Sequence, residues 1–311
     1  MPESADSQRD DSVKIVSIGE VLWDVIGPVE HLGGAPFNFA AHARKLGHEV
    51  LFVSAVGTDT RGDRILEQMA KMGLSTRYVA RVKDYPTGSV TVSLDAMGQP
   101  SYVIHRPAAY DFPRLSPADL EAISSPAPDW IYFGTLQQMS EVARQLTMKL
   151  IEAGRDARRF YDVNLRVHSY QPSLVRELMP HATVLKLNEP EVLQIQEMFG
   201  EKKSGSLEEF CRNYGREFGC ESVCVTRGAK GCALLMKGDY LEAAGYPVQV
   251  ADAVGAGDAF AAALIHGMSC GWPAARIADF ANRVGALVAS GPGAIPDHFA
   301  TEVDQVPPWH R

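Results

Sequence analysis

The chain has 311 residues, 46 % of them apolar and 22 % charged, and a formal net charge of −8. That length is enough to bury a large core, and the composition is that of a globular protein rather than a disordered or fibrous one. The acidic balance argues against a nucleic-acid partner, and no apolar run reaches the roughly 18 residues that a membrane span requires.

The opening "MPESADSQRDDSVK" is polar and acidic, unlike a secretory leader, and reads as a flexible tail over residues 1–12. A single domain over 13–311 is expected to follow. "VKIVSIGEVLWDVIG" begins with a β-rich apolar run ending near Gly19, the pattern of a first strand in an α/β protein. "HLGGAPFNFAAHARKLG" turns helical from Phe37 to Leu46, with Gly47 as its stop. "EVLFVSAVG" reads as a strand, and "TRGDRILEQMAKMG" as a helix with Ile65, Leu66, Met69 and Met72 on one face. Near-continuous apolar strands alternating with helices predict a parallel sheet covered on both faces.

Residues 85–105 break that rhythm, because "GSVTVSL" and "SYVIH" alternate around the turn "DAMGQP". This hairpin and the strand-like part of 20–33 predict a small β-rich lid. The βα alternation then resumes with strands at "PDWIYFG", "ARRFYDVNL", "ATVLKLN" and "CESVCVTRG", and helices over 140–153 and 207–218. A late hairpin in "GCALLMKGDYLEAAGYPV" precedes two alanine-rich helices, 258–268 and about 274–290. The five cysteines, at 211, 220, 224, 232 and 270, form no disulfide or metal framework, which points to reduced thiols and a cytoplasmic protein.

Four polar clusters interrupt this apolar pattern. In "DAVGAGD", glycines before a helix let backbone N–H groups converge on an anion, and Asp258 stands beside them. Asp258 reads either as a helix cap or as a base that takes a hydroxyl proton while the N–H groups hold a phosphoryl group. The lysine and serine or threonine of a Walker A loop are absent. "GGAPFN" brings Gly33, Gly34 and Asn38 behind Asp24, a set of donors and acceptors suited to polyol hydroxyls, although each also has a structural reading as a turn or cap residue. "YDVNLR" puts Asp162, Asn164 and Arg166 at a strand's C-terminal end, where open parallel sheets bind ligands. "LKLNEPE" ends another strand with Asn188, Glu189 and Glu191, where a carboxylate organises Mg²⁺ through water or is simply a solvated helical acid. A dehydrogenase is excluded because "VSIGEVLWD" lacks the glycine fingerprint.

"GEVLWDVIG…LGGAPFNFAAHARKLG", "YPTGSV", "YDVNLR", "LKLNEPE", "VTRGAKG" and "DAVGAGDAFAAAL" together resemble the ribokinase-like (PfkB) sugar kinases, and among them the bacterial and plant fructokinases. The resemblance implies a three-layer α/β/α sandwich with a mostly parallel central sheet and a small β-rich lid formed by segments about 20–33 and 85–106. It also implies transfer of the ATP γ-phosphoryl group to a primary hydroxyl, with fructose as the expected substrate. A 2-keto-3-deoxygluconate kinase, a ribose or nucleoside kinase, and a non-catalytic sugar-binding protein are the alternatives.

By the same resemblance, Asp258 matches the base, and Gly255, Ala256 and Gly257 match the anion hole. Asp24, Gly33, Gly34, Asn38 and Asn164 fall at sugar-binding positions, Arg106 at a lid-side contact, and Arg166 at the sugar or phosphate zone. Asn188, Thr226, Gly228, Gly231 and Asn282 match the nucleotide side, and Glu191 the water-mediated Mg²⁺ position. Asp252 and the Val254 carbonyl match a K⁺ site, although "DAV" replaces the family's usual threonine-containing pattern there. The implied partner is a small sugar, with neither nucleic acid nor membrane, and the protein would be a monomer or a homodimer through the lid.

Overall fold

The computed structural model describes residues 12–94, 100–200 and 205–296. Residues 1–11 of the expected tail and 95–99 of the expected turn lie outside the described residues. The first half runs β1 (Lys14–Ile18), β2 (Leu22–Ile26), β3 (Val29–Gly33), α1 (Ala35–Lys45), β4 (Glu49–Gly57), α2 (Thr60–Lys71), β5 (Val79–Val82), β6 (Gly88–Leu94), β7 (Pro100–His105) and α3 (Pro117–Ser124). It continues with β8 (Trp130–Gly134), α4 (Thr135–Gln138), α5 (Glu141–Ala153), β9 (Arg158–Asp162), α6 (Pro172–Leu178), β10 (Val184–Asn188) and α7 (Glu189–Met198). The last part holds α8 (Leu207–Phe218), β11 (Ser222–Thr226), β12 (Cys232–Met236), β13 (Asp239–Ala243), α9 (Ala256–Ser269) and α10 (Ala274–Ser290).

Nine strands form one sheet in the order β13-β12-β11-β10-β9-β8-β1-β4-β5. The pairings from β5 across to β11 are parallel, and only β12 and β13, the late hairpin, run antiparallel. Successive strand residues feed opposite cores. Ile15, Phe52, Tyr132, Phe160 and Val184 join α1, α2, α9 and α10 on one face. Val16, Val53, Phe133, Tyr161 and Leu185 join α5 to α8 on the other. Burial on both faces is why these strands read as unbroken apolar runs. The fold is therefore the three-layer sandwich with a smaller β-rich part.

That smaller part is a second sheet in the order β3-β2-β6-β7. It is tied to α2 by Trp23, whose indole N–H donates to the Arg61 carbonyl at 3.1 Å and whose ring lies under the Arg64 guanidinium. Glu30 on β3 bonds both Arg61 and Arg64. Ile26, Val29, Tyr102 and Val103 of this sheet stay exposed. No helix among the described residues is long and apolar enough to cross a membrane.

Strand order reverses between β1 and β8, since the chain leaves β1 toward β4 and returns on the other side. Such a switch leaves a crevice at the strands' C-terminal ends. The start of α1 is pressed into it. A side chain at Gly19 would run into Pro36, and one at Gly34, where φ is +110°, would lie 2.5 Å from the Glu20 carbonyl oxygen. Behind this junction the Phe39 ring stacks on Tyr132, with centroids 3.8 Å apart and planes within 6°. Both rings are fully buried. Phe39→Ala is expected to cost about 3–5 kcal/mol by opening a cavity there, read as a lower denaturant midpoint. A change below about 1 kcal/mol, the range of volume-conserving swaps, would show that the stack does not hold α1 in place.

Candidate active site

Asp258 occupies the first turn of α9, whose N-cap is Gly255 with φ +81°. A Cβ on Gly255 would stand 2.5 Å from the Ala294 carbonyl oxygen, so both the backbone angle and the packing demand glycine. No side chain caps this helix; the Ala256 N–H donates to the Ala253 carbonyl at 3.4 Å and the Asp258 N–H to the Gly255 carbonyl at 3.1 Å. The carboxylate of Asp258 instead accepts a 2.9 Å hydrogen bond from the Asn38 amide on α1. The cap reading of Asp258 and the cap-region reading of Asn38 are both replaced by this contact between two buried side chains. Burial, then the charge of Asp162, push the Asp258 carboxyl up to about 7, while the Asn38 bond, Lys186 and Arg166 pull the other way.

Beneath α9 lies a buried ion pair. Lys186 on β10 places its ammonium 2.9 and 3.0 Å from the two oxygens of Asp162 on β9. The Tyr132 hydroxyl donates to the same carboxylate at 3.0 Å. Burial alone would lower the Lys186 pKa, but Asp162 outweighs it and the net shift is upward. The ammonium would sit 3.8 Å from a Cβ placed on Gly257, directly below the glycine turn. β9 ends at Asp162, so the strand expected over "ARRFYDVNL" stops there, before Asn164 and Arg166. Asn164 has φ +40°, and Arg166 is exposed on the following loop. The Arg166 charge acts on Glu20, Asp24 and Asp258 together.

Asp24 is not a turn residue but lies within β2, opposite His31. A Cβ on Gly33 would come 2.6 Å from its carboxylate, so the glycine makes room for it. Burial raises the Asp24 pKa against the pull of Arg166 and His31. Arg106 follows β7 and is heavily engaged. It bonds both oxygens of Asp111, at 2.6 and 3.2 Å, and the Leu136 carbonyl at 2.8 Å.

A second group of residues gathers at the ends of β10 and β11. Asn188 pairs in register with Thr226, whose hydroxyl donates to the Leu187 carbonyl. Asn188 and Glu191 form a reciprocal cap at the start of α7, each bond 2.8 Å. The other Glu191 oxygen accepts from the Leu165 N–H at 2.7 Å, between Asn164 and Arg166. Glu191 is thus buried, not the solvated helical acid of the simpler reading, and burial raises its pKa. Each of its oxygens keeps a further lone pair, and a hard carboxylate fits a hydrated Mg²⁺.

Gly228 and Gly231 flank a short turn at φ +57° and +94°, and a Cβ on Gly231 would overlap the Ala243 carbonyl. Asn282 on α10 donates to the Ala243 and Ala244 carbonyls, at 3.4 and 3.1 Å, and so ties that turn's neighbour to the last helix. Asp252 accepts from the Val254 N–H at 2.9 Å, and Val254 is exposed. A carboxylate and main-chain carbonyls are the hard oxygen donors that suit an alkali cation. No cluster of three or more His, Cys, Asp or Glu side chains forms a metal cage among the described residues. All five cysteines are free thiols.

Sequence reasoning missed Lys186, Tyr132 and Glu20. The signal for two of them was present as a charge inside an apolar strand run, in "TVLKLN" and "IVSIGEVLW".

The chain is similar to known proteins over almost its whole length. The pfkB family carbohydrate kinase profile matches residues 11–300. The chain is 28 % identical to a fructokinase of Escherichia coli over 303 residues, covering 91 % of this chain and 95 % of that one. An uncharacterized sugar kinase of Pyrococcus horikoshii, solved in complex with ATP, superposes with a TM-score of 0.77 at 28 % identity, covering 90 % of this chain and 94 % of that one. A fructokinase of Xylella fastidiosa with bound ATP matches in fold, with a TM-score of 0.82 at 22 % identity and coverage of 94 % and 97 %. With its family profile matched nearly end to end, this chain belongs to the pfkB family of carbohydrate kinases.

Proposed function

We propose that the protein transfers the γ-phosphoryl group of ATP to a primary hydroxyl of a monosaccharide, with fructose, giving fructose 6-phosphate, as the substrate favoured by its fructokinase relatives. The observation that carries the reading is Asp258, a buried carboxylate fixed by Asn38 at an uncapped glycine helix start and not used as a cap.

In this reading the sugar lies between Asp24, Gly33, Gly34, Asn38 and Asn164 beneath the small sheet, with Arg106 and Arg166 at its edges. Asp258 accepts the hydroxyl proton as that oxygen attacks the γ-phosphorus, and the bond to the bridging oxygen of ADP breaks. The N–H groups of Gly255, Ala256 and Gly257 bear the charge that develops on the phosphoryl oxygens, assisted by Arg166. Asn38 aims the carboxylate through its 2.9 Å bond. Asn188, Thr226, Gly228, Gly231 and Asn282 line the nucleotide side. Mg²⁺ carried with ATP and held through water by Glu191 would neutralise phosphate charge, and Asp252 with the Val254 carbonyl would hold K⁺. The small sheet, acting as a lid, keeps water from the γ-phosphate.

The test is ADP release over a panel of fructose, glucose, ribose, 2-keto-3-deoxygluconate and adenosine, with and without K⁺. Turnover of fructose above the others is expected, turnover of another member would move the substrate assignment, and turnover of none would refute phosphoryl transfer to these acceptors. Asp258→Asn should lower kcat by roughly 10²–10⁴, the range for a positioned base, whereas near-normal turnover would remove that role.

A base that titrates at about 7 also predicts a wild-type kcat/KM falling about tenfold per pH unit on the acid side of that value. The same shift has a cost in stability. The folded carboxyl is raised from 3.8 to about 7, so its contribution is complete below about pH 4 and lost as pH rises through about 7. Asp258→Asn should therefore be more stable than wild type at pH 8, by a margin of order 4 kcal/mol at about 1.4 kcal/mol per pK unit. That margin should shrink toward zero near pH 4 in denaturation curves. A margin independent of pH would show that Asp258 does not titrate in this range.

A further inference from the structure

One side of the small sheet is gripped by α2 through four residues that form a closed set. Trp23 on β2 donates its indole N–H to the Arg61 carbonyl at 3.1 Å, and the Arg64 guanidinium lies 4.1 Å over its ring. Glu30 on β3 takes the Arg61 guanidinium on one oxygen, at 2.6 and 2.8 Å, and that of Arg64 on the other. Each arginine therefore touches both strands, and each strand residue touches both arginines. The two arginines stand three positions apart and so rise from one side of α2. A half-exposed ion pair contributes little by itself. In this set a guanidinium is stacked on an indole that is only 4 % exposed, and both arginines converge on one carboxylate, which fixes their geometry.

A second tie joins the same helix to the neighbouring strand. Thr87, which precedes β6, donates its N–H and its hydroxyl to the two oxygens of Asp59, at 2.8 and 2.6 Å. Asp59 is the N-cap of α2 and also accepts from the Gly62 N–H. β6 pairs with β2 from Leu22 and Gly88 onward. The first turns of α2 thus hold β2, β3 and β6 together.

The grip falls on the face away from Asp24. Trp23, Val25 and Leu32 pack with Ile65 and Met69 of α2, whereas Leu22, Val90 and Ile104 pack in a separate cluster. Asp24 lies between Trp23 and Val25 in β2, so strand alternation turns it to the opposite side. β3 runs through Gly33 and Gly34 into α1, which carries Asn38. A tilt of the small sheet would therefore carry Asp24 relative to Asn38 and its partner Asp258. A misplacement of about 1 Å is enough to degrade such a constellation. We propose that Trp23, Glu30, Arg61 and Arg64 are positioning residues, which fix from behind the sheet where Asp24 meets the sugar and so set sugar affinity without touching it. The inference rests on the sugar-kinase reading, in which Asp24 and Asn38 contact the sugar. It leaves the nucleotide side alone, since Asn188, Thr226 and Asn282 stand on β10, β11 and α10 of the large sheet and its helices.

The experiment compares wild type with Glu30→Gln, Arg64→Met and Arg64→Lys, each checked for an unchanged melting temperature. Hydrogen exchange would follow the amides of 22–33. Kinetics and calorimetry would use fructose, or whichever sugar of the panel the wild type turns over. Glu30→Gln and Arg64→Met are each expected to speed exchange over 22–33 and to weaken the sugar about fivefold, the worth of a partly desolvated cation–π or networked ion-pair contact. That loss should appear in KM and in the calorimetric Kd for the sugar, with kcat and KM for ATP unmoved. Arg64→Lys keeps a cation over the indole and should restore most of the affinity, a rescue that repair of packing alone would not give. Faster exchange with unchanged sugar affinity would leave only a structural tie and overturn the inference, as would equal losses for sugar and ATP. Unchanged exchange and affinity in a wild type and variants that all turn over would overturn it and leave the kinase reading standing. A wild type that binds fructose without turnover would remove the kinase reading, and Kd in the variants would still decide the positioning role. No binding of any sugar would overturn both.

Discussion

The buried pair of Asp162 and Lys186 is the interaction on which the rest of the site depends. It joins the ends of two adjacent central strands under the glycine turn of α9, and each partner is almost completely withdrawn from water. A lone charge there would be very costly, and removing either partner would leave one. Together, and with the Tyr132 hydroxyl completing the Asp162 carboxylate, they set a fixed dipole below Asp258. Asp162 raises the Asp258 pKa and Lys186 lowers it. The pair therefore tunes a neighbouring carboxyl without touching it. Its geometry is rigid because both side chains rise from paired strands rather than from loops.

The second constraint is close approach. α1 and α9 both begin in the crevice at the sheet's C-terminal edge, and neither could do so with ordinary residues at its threshold. Gly19 and Gly34 let α1 sit against the end of β1, and Gly255 lets α9 start against the Ala294 segment. The reward is a direct bond from Asn38 to Asp258, between residues 220 positions apart in the chain. Alanines along α9 keep its faces small, so the helix fits between the sheet, α1 and α10. The composition that made "DAVGAGDAFAAAL" conspicuous thus has a packing cause as well as a chemical one.

Sequence patterns carried most of the architecture because strands buried on both faces cannot hide their apolar character. β1, β4, β8, β10 and β11 all lie where continuous apolar runs place them, and the change to alternation marks the small sheet. Short elements such as α4 and β5 leave too few residues for a period to emerge. The site was half legible. Glycine–acid clusters at strand ends named Asp258, Asp24 and Asn38, but not that Asn38 and Asp258 touch. Glu191 resembles any first-turn acid in the sequence, and only the fold reveals that it is buried and tied to the Leu165 N–H. Lys186 and Glu20 sit inside apolar runs, where a single charge carries no mark of its partner. Pairing across strands is a tertiary fact that no local window contains.

The concentration of acid groups around Arg166 gives the pocket its energetic character. Glu20, Asp24 and Asp258 all have raised pKa values, each chiefly because burial disfavours the ionised form. Each therefore subtracts from the stability of the empty protein at neutral pH. That cost is borne locally, at the rim of a core whose strands and stacked rings are fully buried. A ligand rich in hydroxyls would relieve it, since every hydroxyl donated to one of these carboxylates restores a hydrogen bond lost on desolvation. In the proposed reading these carboxylates would bind sugar hydroxyls, and Asp258 would take a hydroxyl proton. Recognition and proton transfer would then draw on the same property, acids held in a place that favours their protonated form.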